Sequence, residues 1–102
     1  MAKQSLSSEI AENITALKKL KQLDPHNEQL SAQLQDMYDA LHQVQGKEWE
    51  EQVEKYEDAK VALDTARKVT EDAIADLSKT AEAITKAADA IAKVLAAIAV
   101  IL

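Results

Sequence analysis

The 102-residue chain has no cysteine, one glycine, one proline, and only Tyr38, Trp49 and Tyr56 as aromatic side chains. Without cysteine there is no disulfide framework, no thiolate metal site and no cysteine nucleophile, and a reducing, cytoplasmic address is expected. A single glycine also excludes a glycine-rich phosphate-binding loop. Positive charge is scarce: twelve Lys and Arg face eighteen Asp and Glu, for a net charge of -6. That is the wrong sign for a nucleic-acid backbone, and no basic stripe alternates with aromatics, so nucleic acid is not an expected partner. Missing too are the apolar stretch of a secretory signal and a glycine at position 2 for N-myristoylation. A chain of this size buries about two-thirds of its unfolded surface, enough for one core but not for a core and a roomy substrate cavity. The expectation is one domain over residues 1–102 and no enzymatic activity.

What is present is helical periodicity. Leu6, Ile10, Ile14, Leu17 and Leu20 recur at steps of three and four, which predicts a helix over 5–22 with one apolar stripe, closed by Leu23. Asp24 precedes Pro25, so Asp24 reads as the N-cap of a second helix over 25–45 joined to the first by a tight turn. Within it Leu30, Leu34, Met37, Leu41 and Val44 step 4-3-4-3, a heptad pattern. Gln45-Gly46 then ends the helix, and so short a connection predicts an antiparallel neighbour next.

From Trp49 the same spacing runs through Val53, Tyr56, Lys60, Leu63, Arg67, Thr70, Ile74, Leu77, Ala81, Ile84, Ala88, Ile91, Leu95, Ile98 and Leu102. No Gly or Pro interrupts residues 47–102, so the pattern predicts one long helix, with Lys60 and Arg67 laying their stems over the stripe. Its rival is a break near Val69-Thr70, where Thr70, Glu71 and Asp72 resemble an N-cap followed by acids. An unbroken helix would be on the order of 80 Å long and would overhang the hairpin of the first two. The expected fold is therefore all-α: an antiparallel hairpin packed on a long C-terminal helix, coiled-coil-like and oligomeric.

After Lys93 the chain has no polar side chain. Ala83, Ala87, Ala90 and Ala97 add small side chains that let helices approach closely. This predicts burial on all sides, supplied by a homo-oligomer or another helical protein, with Ile74, Leu77, Ile84, Ile91, Leu95, Ile98 and Leu102 as the interface. The alternative is a membrane-associating or pore-forming protein. The apolar run Val94 to Leu102 spans only about 13 Å as a helix, well short of a bilayer core. Extending it back to Ala81 brings in Glu82, Lys86, Asp89 and Lys93, which lipid tolerates only if they line a wet lumen.

Chemistry-bearing residues are few. His26 and His42 are sixteen apart, with no second ligand at a spacing that shares a helical face, so neither metal nor cofactor is expected. The acids Glu48, Glu50, Glu51, Glu54, Glu57 and Asp58 alternate with Lys47 and Lys55 and read as a solvated helix face. The serines have no histidine-and-acid partners at an interpretable spacing. Trp49 and Tyr56 fall on the apolar seam and read as core.

Overall fold

The computed structural model describes residues 6–44 and 54–101, which form four helices. These are α1 (Leu6–Leu23), α2 (Glu28–Val44), α3 (Glu54–Ala75) and α4 (Thr80–Ile101), with a 3-10 turn at Leu77–Lys79 between the last two. No strand occurs among the described residues.

The first helix follows its apolar stripe: Leu6, Ile10, Ile14, Leu17 and Leu20 are all buried. Leu23, expected to close the helix against the core, is half exposed instead. The chain turns through Asp24–Asn27, where the Asp24 amide donates to the carbonyls of Leu20 and Lys21. The cap of α2 is Asn27 rather than Asp24. Its Oδ1 accepts from the Leu30 amide at 3.2 Å, while its Nδ2 donates to the Asp24 carboxylate at 3.0 Å. Pro25 and His26 thus belong to the turn, and the Asn27 oxygen satisfies one of the orphan amides of the first helical turn. Leu30, Leu34, Met37 and Val44 are buried as the heptad pattern predicts, and Leu41 is partly buried. Gln45, Gly46, Trp49 and Val53 lie outside the described residues.

The single long third helix is not formed. It breaks at Asp76, six residues beyond Thr70 of the Val69-Thr70 pair. Thr70 is wholly buried, and its hydroxyl donates back to the Ala66 carbonyl at 2.7 Å, a bond made inside a helix rather than at its start. At Asp76 the backbone is extended (φ -145°, ψ 99°), and the carboxylate accepts from both the amide and the hydroxyl of Ser78, at 3.1 and 2.7 Å. The Thr80 hydroxyl donates to the Leu77 carbonyl at 2.7 Å, and the Lys79 amide to the Asp76 carbonyl at 3.0 Å. Short polar side chains thus supply the partners that an unbroken helix would have supplied from its own backbone. The Ser78 hydroxyl, and then its amide, hold the Asp76 carboxyl below the usual aspartate range.

Folding back at Asp76 changes the size of the molecule. Its longest dimension is 37 Å and its radius of gyration 13.2 Å, so the roughly 80 Å rod has become two stacked helices. Helix α1 packs on α2 and α3, and α4 packs on α3 and α2. The direction of the α1–α3 pair follows from two hydrogen bonds. The Leu6 amide donates to the Tyr56 hydroxyl at 3.2 Å, and Asn13 Nδ2 to the Leu63 carbonyl at 3.0 Å. Each joins residues fifty apart, so α1 and α3 run parallel. Two antiparallel hairpins are therefore stacked with like ends together. This corrects the expectation that the helix after Gly46 would be the packed neighbour of α2: its packed neighbours are α1 and α4, and α2 stands across the diagonal.

Candidate functional site

The residues expected to form a self-association interface separate into three groups. Ile84, Ile91 and Ile98 are buried in the core of this same chain, with Ile74 partly buried against it. Leu77 and Leu95 are exposed, at 47% and 45%. Leu102 lies outside the described residues. The structure therefore does not gather the seven on one surface. The isoleucines fill the bundle on the α2 side, where Ile91 and Leu95 share a groove with Asp36, Asp39, Ala40 and Gln43.

The small side chains lie toward the other neighbour. Ala59, Ala66 and Ala73 on α3, and Ala83, Ala90 and Ala97 on α4, are all fully buried. Each set is spaced by seven, so each keeps one face of its helix free of bulk at every second turn. Just outside this seam is a groove of about 310 Å³ floored by Val61 and Ala62 and walled by Asp58, Lys86, Asp89 and Lys93. Among the described residues Val61 is the most exposed of the large apolar side chains, at 65%. The groove carries two acids and two bases, whereas the α2–α4 groove has acids alone as its charged groups.

The α1–α3 seam is polar. Asn13 is fully buried and its Nδ2 donates to the carbonyls of Glu9 and Leu63, at 2.9 and 3.0 Å, while its Oδ1 is buried without a partner. Glu9, one turn earlier, is also buried, and its Oε2 has no hydrogen-bond partner. Burial raises the Glu9 carboxyl above the usual glutamate range, the neighbouring Glu12 and Asp64 add to the rise, and Lys60 and Arg67 oppose it. Arg67 sits at the edge of this seam with Asp64 at 2.9 Å, Glu71 at 2.6 Å and Glu12 of α1 at 3.7 Å. Hydrogen bonds from Lys68 and Arg67 lower the Asp64 carboxyl. Lys60 lies over the Tyr56 ring, 5.5 Å from its centre, and Tyr56 is buried as expected of a seam residue. Lys60 and Arg67 thus snorkel from the stripe, as their place in the sequence predicts.

His26 and His42 are exposed and lie on different elements. Among the described residues no group of three His, Asp or Glu side chains is arranged to hold a metal ion. Asp58 is exposed and Glu57 half-buried, while Glu48, Glu50 and Glu51 lie outside the described residues. No helix of the described residues is long and apolar enough to cross a membrane. Glu82, Lys86, Asp89 and Lys93 are all exposed on the outer side of α4.

Two contributors were not singled out from the sequence. Asn13 falls on the alternative 4-3-4-3 reading of α1, through Leu6, Ile10, Asn13, Leu17 and Leu20, and that register was its available signal. Val61 is a large apolar residue off the stripe, which is the signal of an exposed apolar site. Compared with protein-family models, with curated proteins and with solved structures, the chain matches none.

Proposed function

We propose that this protein is a non-enzymatic helical module, structural or adaptor-like, that works by associating with a second copy of itself through its C-terminal half. The observation that carries this reading is that the α3–α4 hairpin leaves large apolar side chains exposed: Val61 at its outer groove, Leu77 at its turn and Leu95 at the groove beside α2. The balanced charges around Val61 support a like partner, since two acids and two bases on one face can pair with their own copies across a two-fold axis. Elsewhere the net charge of -6 opposes close approach of two copies, which favours association through this face.

Sedimentation equilibrium and light scattering across micromolar concentrations test it. Reversible association beyond the monomer is expected. A chain that stays monomeric at the highest concentrations would end this reading. Lipid binding through α4 is the competing case, and it requires Ile84, Ile91 and Ile98 to leave the core they now fill. Flotation of the full chain with vesicles, in place of self-association, would favour it.

A further inference from the structure

The two heptad positions that α3 buries are buried again in α4, which adds a third row at Ala83, Ala90 and Ala97. On α3 they are Tyr56, Leu63 and Thr70, with Ala59, Ala66 and Ala73 beside them. Counting on by sevens across the turn, the first row reaches Leu77 and then Ile84, Ile91 and Ile98, and the second reaches Thr80, Ala87 and Val94. All of these except Leu77 are buried. A hairpin has no need of this. Once the chain reverses at Asp76, the phase of α4 is free to be anything, yet the stripe resumes in register, with an exposed leucine at the position that bridges it. No Gly or Pro lies in the segment 76–79, and the bonds made there by side chains come from Asp76, Ser78 and Thr80. Such a turn can be replaced by a helix without forbidden backbone conformations.

We propose that two copies exchange their fourth helices. In the exchanged form α3 and α4 join through 76–79 into one helix of about 72 Å, by the rise of 1.5 Å per residue over 54–101. The α4 of each copy then occupies, on the other copy, the place it holds here. The helix-on-helix packing of the bundle is kept, the turn's bonds at 76–79 are exchanged for helical ones, and the exposed Leu77 enters a continuous stripe. This rests on the self-association reading and gives it a route. A strict seven-residue repeat also carries a left-handed supercoil, which keeps such a stripe facing one partner over this length.

The test uses the full chain, refolded from denaturant at high concentration and followed by light scattering. Because the native chain has no cysteine, labels can be placed singly at Asp58→Cys and Lys93→Cys. These positions wall one groove in the hairpin, but stand about 52 Å apart in a continuous helix. Diluting the doubly labelled chain with unlabelled chain makes the distance intramolecular, and in the dimer the long distance is expected. Leu77→Pro is the hinge variant. Asp76 is already extended, near the conformation a following proline favours, and Leu77 opens the 3-10 turn, where the missing amide is tolerated. The hairpin therefore accepts it. A proline inside the continuous helix costs on the order of 3 kcal/mol, so the exchanged dimer should weaken by roughly a hundredfold or more. Asp76→Ala removes the carboxylate that holds the turn and should raise the dimer fraction. A dimer that keeps the short distance and ignores Leu77→Pro overturns the exchange and leaves self-association through the outer face standing. A chain that is only monomeric overturns both.

Discussion

Helix α3 meets its two neighbours in chemically different ways. Toward α1 it offers long and polar groups: the Tyr56 hydroxyl on the Leu6 amide, the Leu63 carbonyl on buried Asn13, and Arg67 among Glu12, Asp64 and Glu71. Toward α4 it offers Ala59, Ala66 and Ala73, and α4 answers with Ala83, Ala90 and Ala97. The polar seam fixes direction, because its hydrogen bonds form only when α1 runs parallel to α3. The alanine seam fixes distance, because there is nothing in it to compress. Specificity and closeness are thus supplied on different sides of one helix, and the two sides should respond oppositely to added carbon.

The largest effect is expected where volume is added to the alanine side. Ala66→Leu places a branched side chain at a fully buried position, and overpacking of this kind costs about 3 kcal/mol. Urea unfolding measures it, and a loss below about 1 kcal/mol would mean that the seam is not close-packed. Asn13→Leu should do much less. It removes the unpartnered Oδ1 together with two bonds to carbonyls, so stability should stay within about 1 kcal/mol of the native value or rise. A loss above about 2 kcal/mol would make the amide a main support of the bundle rather than a device of register.

Glu9→Gln sharpens the comparison at the smallest scale. The folded carboxyl holds its proton to higher pH than the unfolded one, because it is buried beside Glu12 and Asp64. Folding is therefore most favoured below the unfolded value, and this favour is lost as pH rises through the folded value. The glutamine variant should be the more stable at neutral pH, and the difference should vanish in acid. An advantage that persists unchanged in acid would assign it to something other than ionisation.

The all-α class and the first two apolar stripes were readable because each position of α1 and α2 is set by a local period and by one proline-marked turn. Helix α2 starts three residues later than Pro25 suggests, because Asn27, whose amide side chain reaches both Asp24 and Leu30, is its cap. The break at Asp76 was hidden for a different reason. Its stripe continues in phase across the turn, so periodicity is the same for a rod and for a hairpin, and only the grouping Asp76, Ser78, Thr80 marked the place. The spacing of Ile84, Ile91 and Ile98 marks them as an apolar stripe that needs cover, and all three are buried within this chain. Their partner is α2 of the same chain, a fact that depends on the fold-back and not on their own spacing.

The parallel stacking of α1 on α3 also sets an order of assembly. Each hairpin closes through a turn of about four residues, whereas the Leu6–Tyr56 and Asn13–Leu63 contacts each close a loop of fifty. By the logarithmic growth of loop-closure entropy, the long loops cost about 2 kcal/mol more to close than the turns. A chain with two local hairpins and one distant seam gathers its short-range contacts before its long-range ones. The faces that α1 and α3 turn toward each other are thus the most costly to bring together, and a neighbouring chain that offers the same face pays its own association cost in place of that long loop.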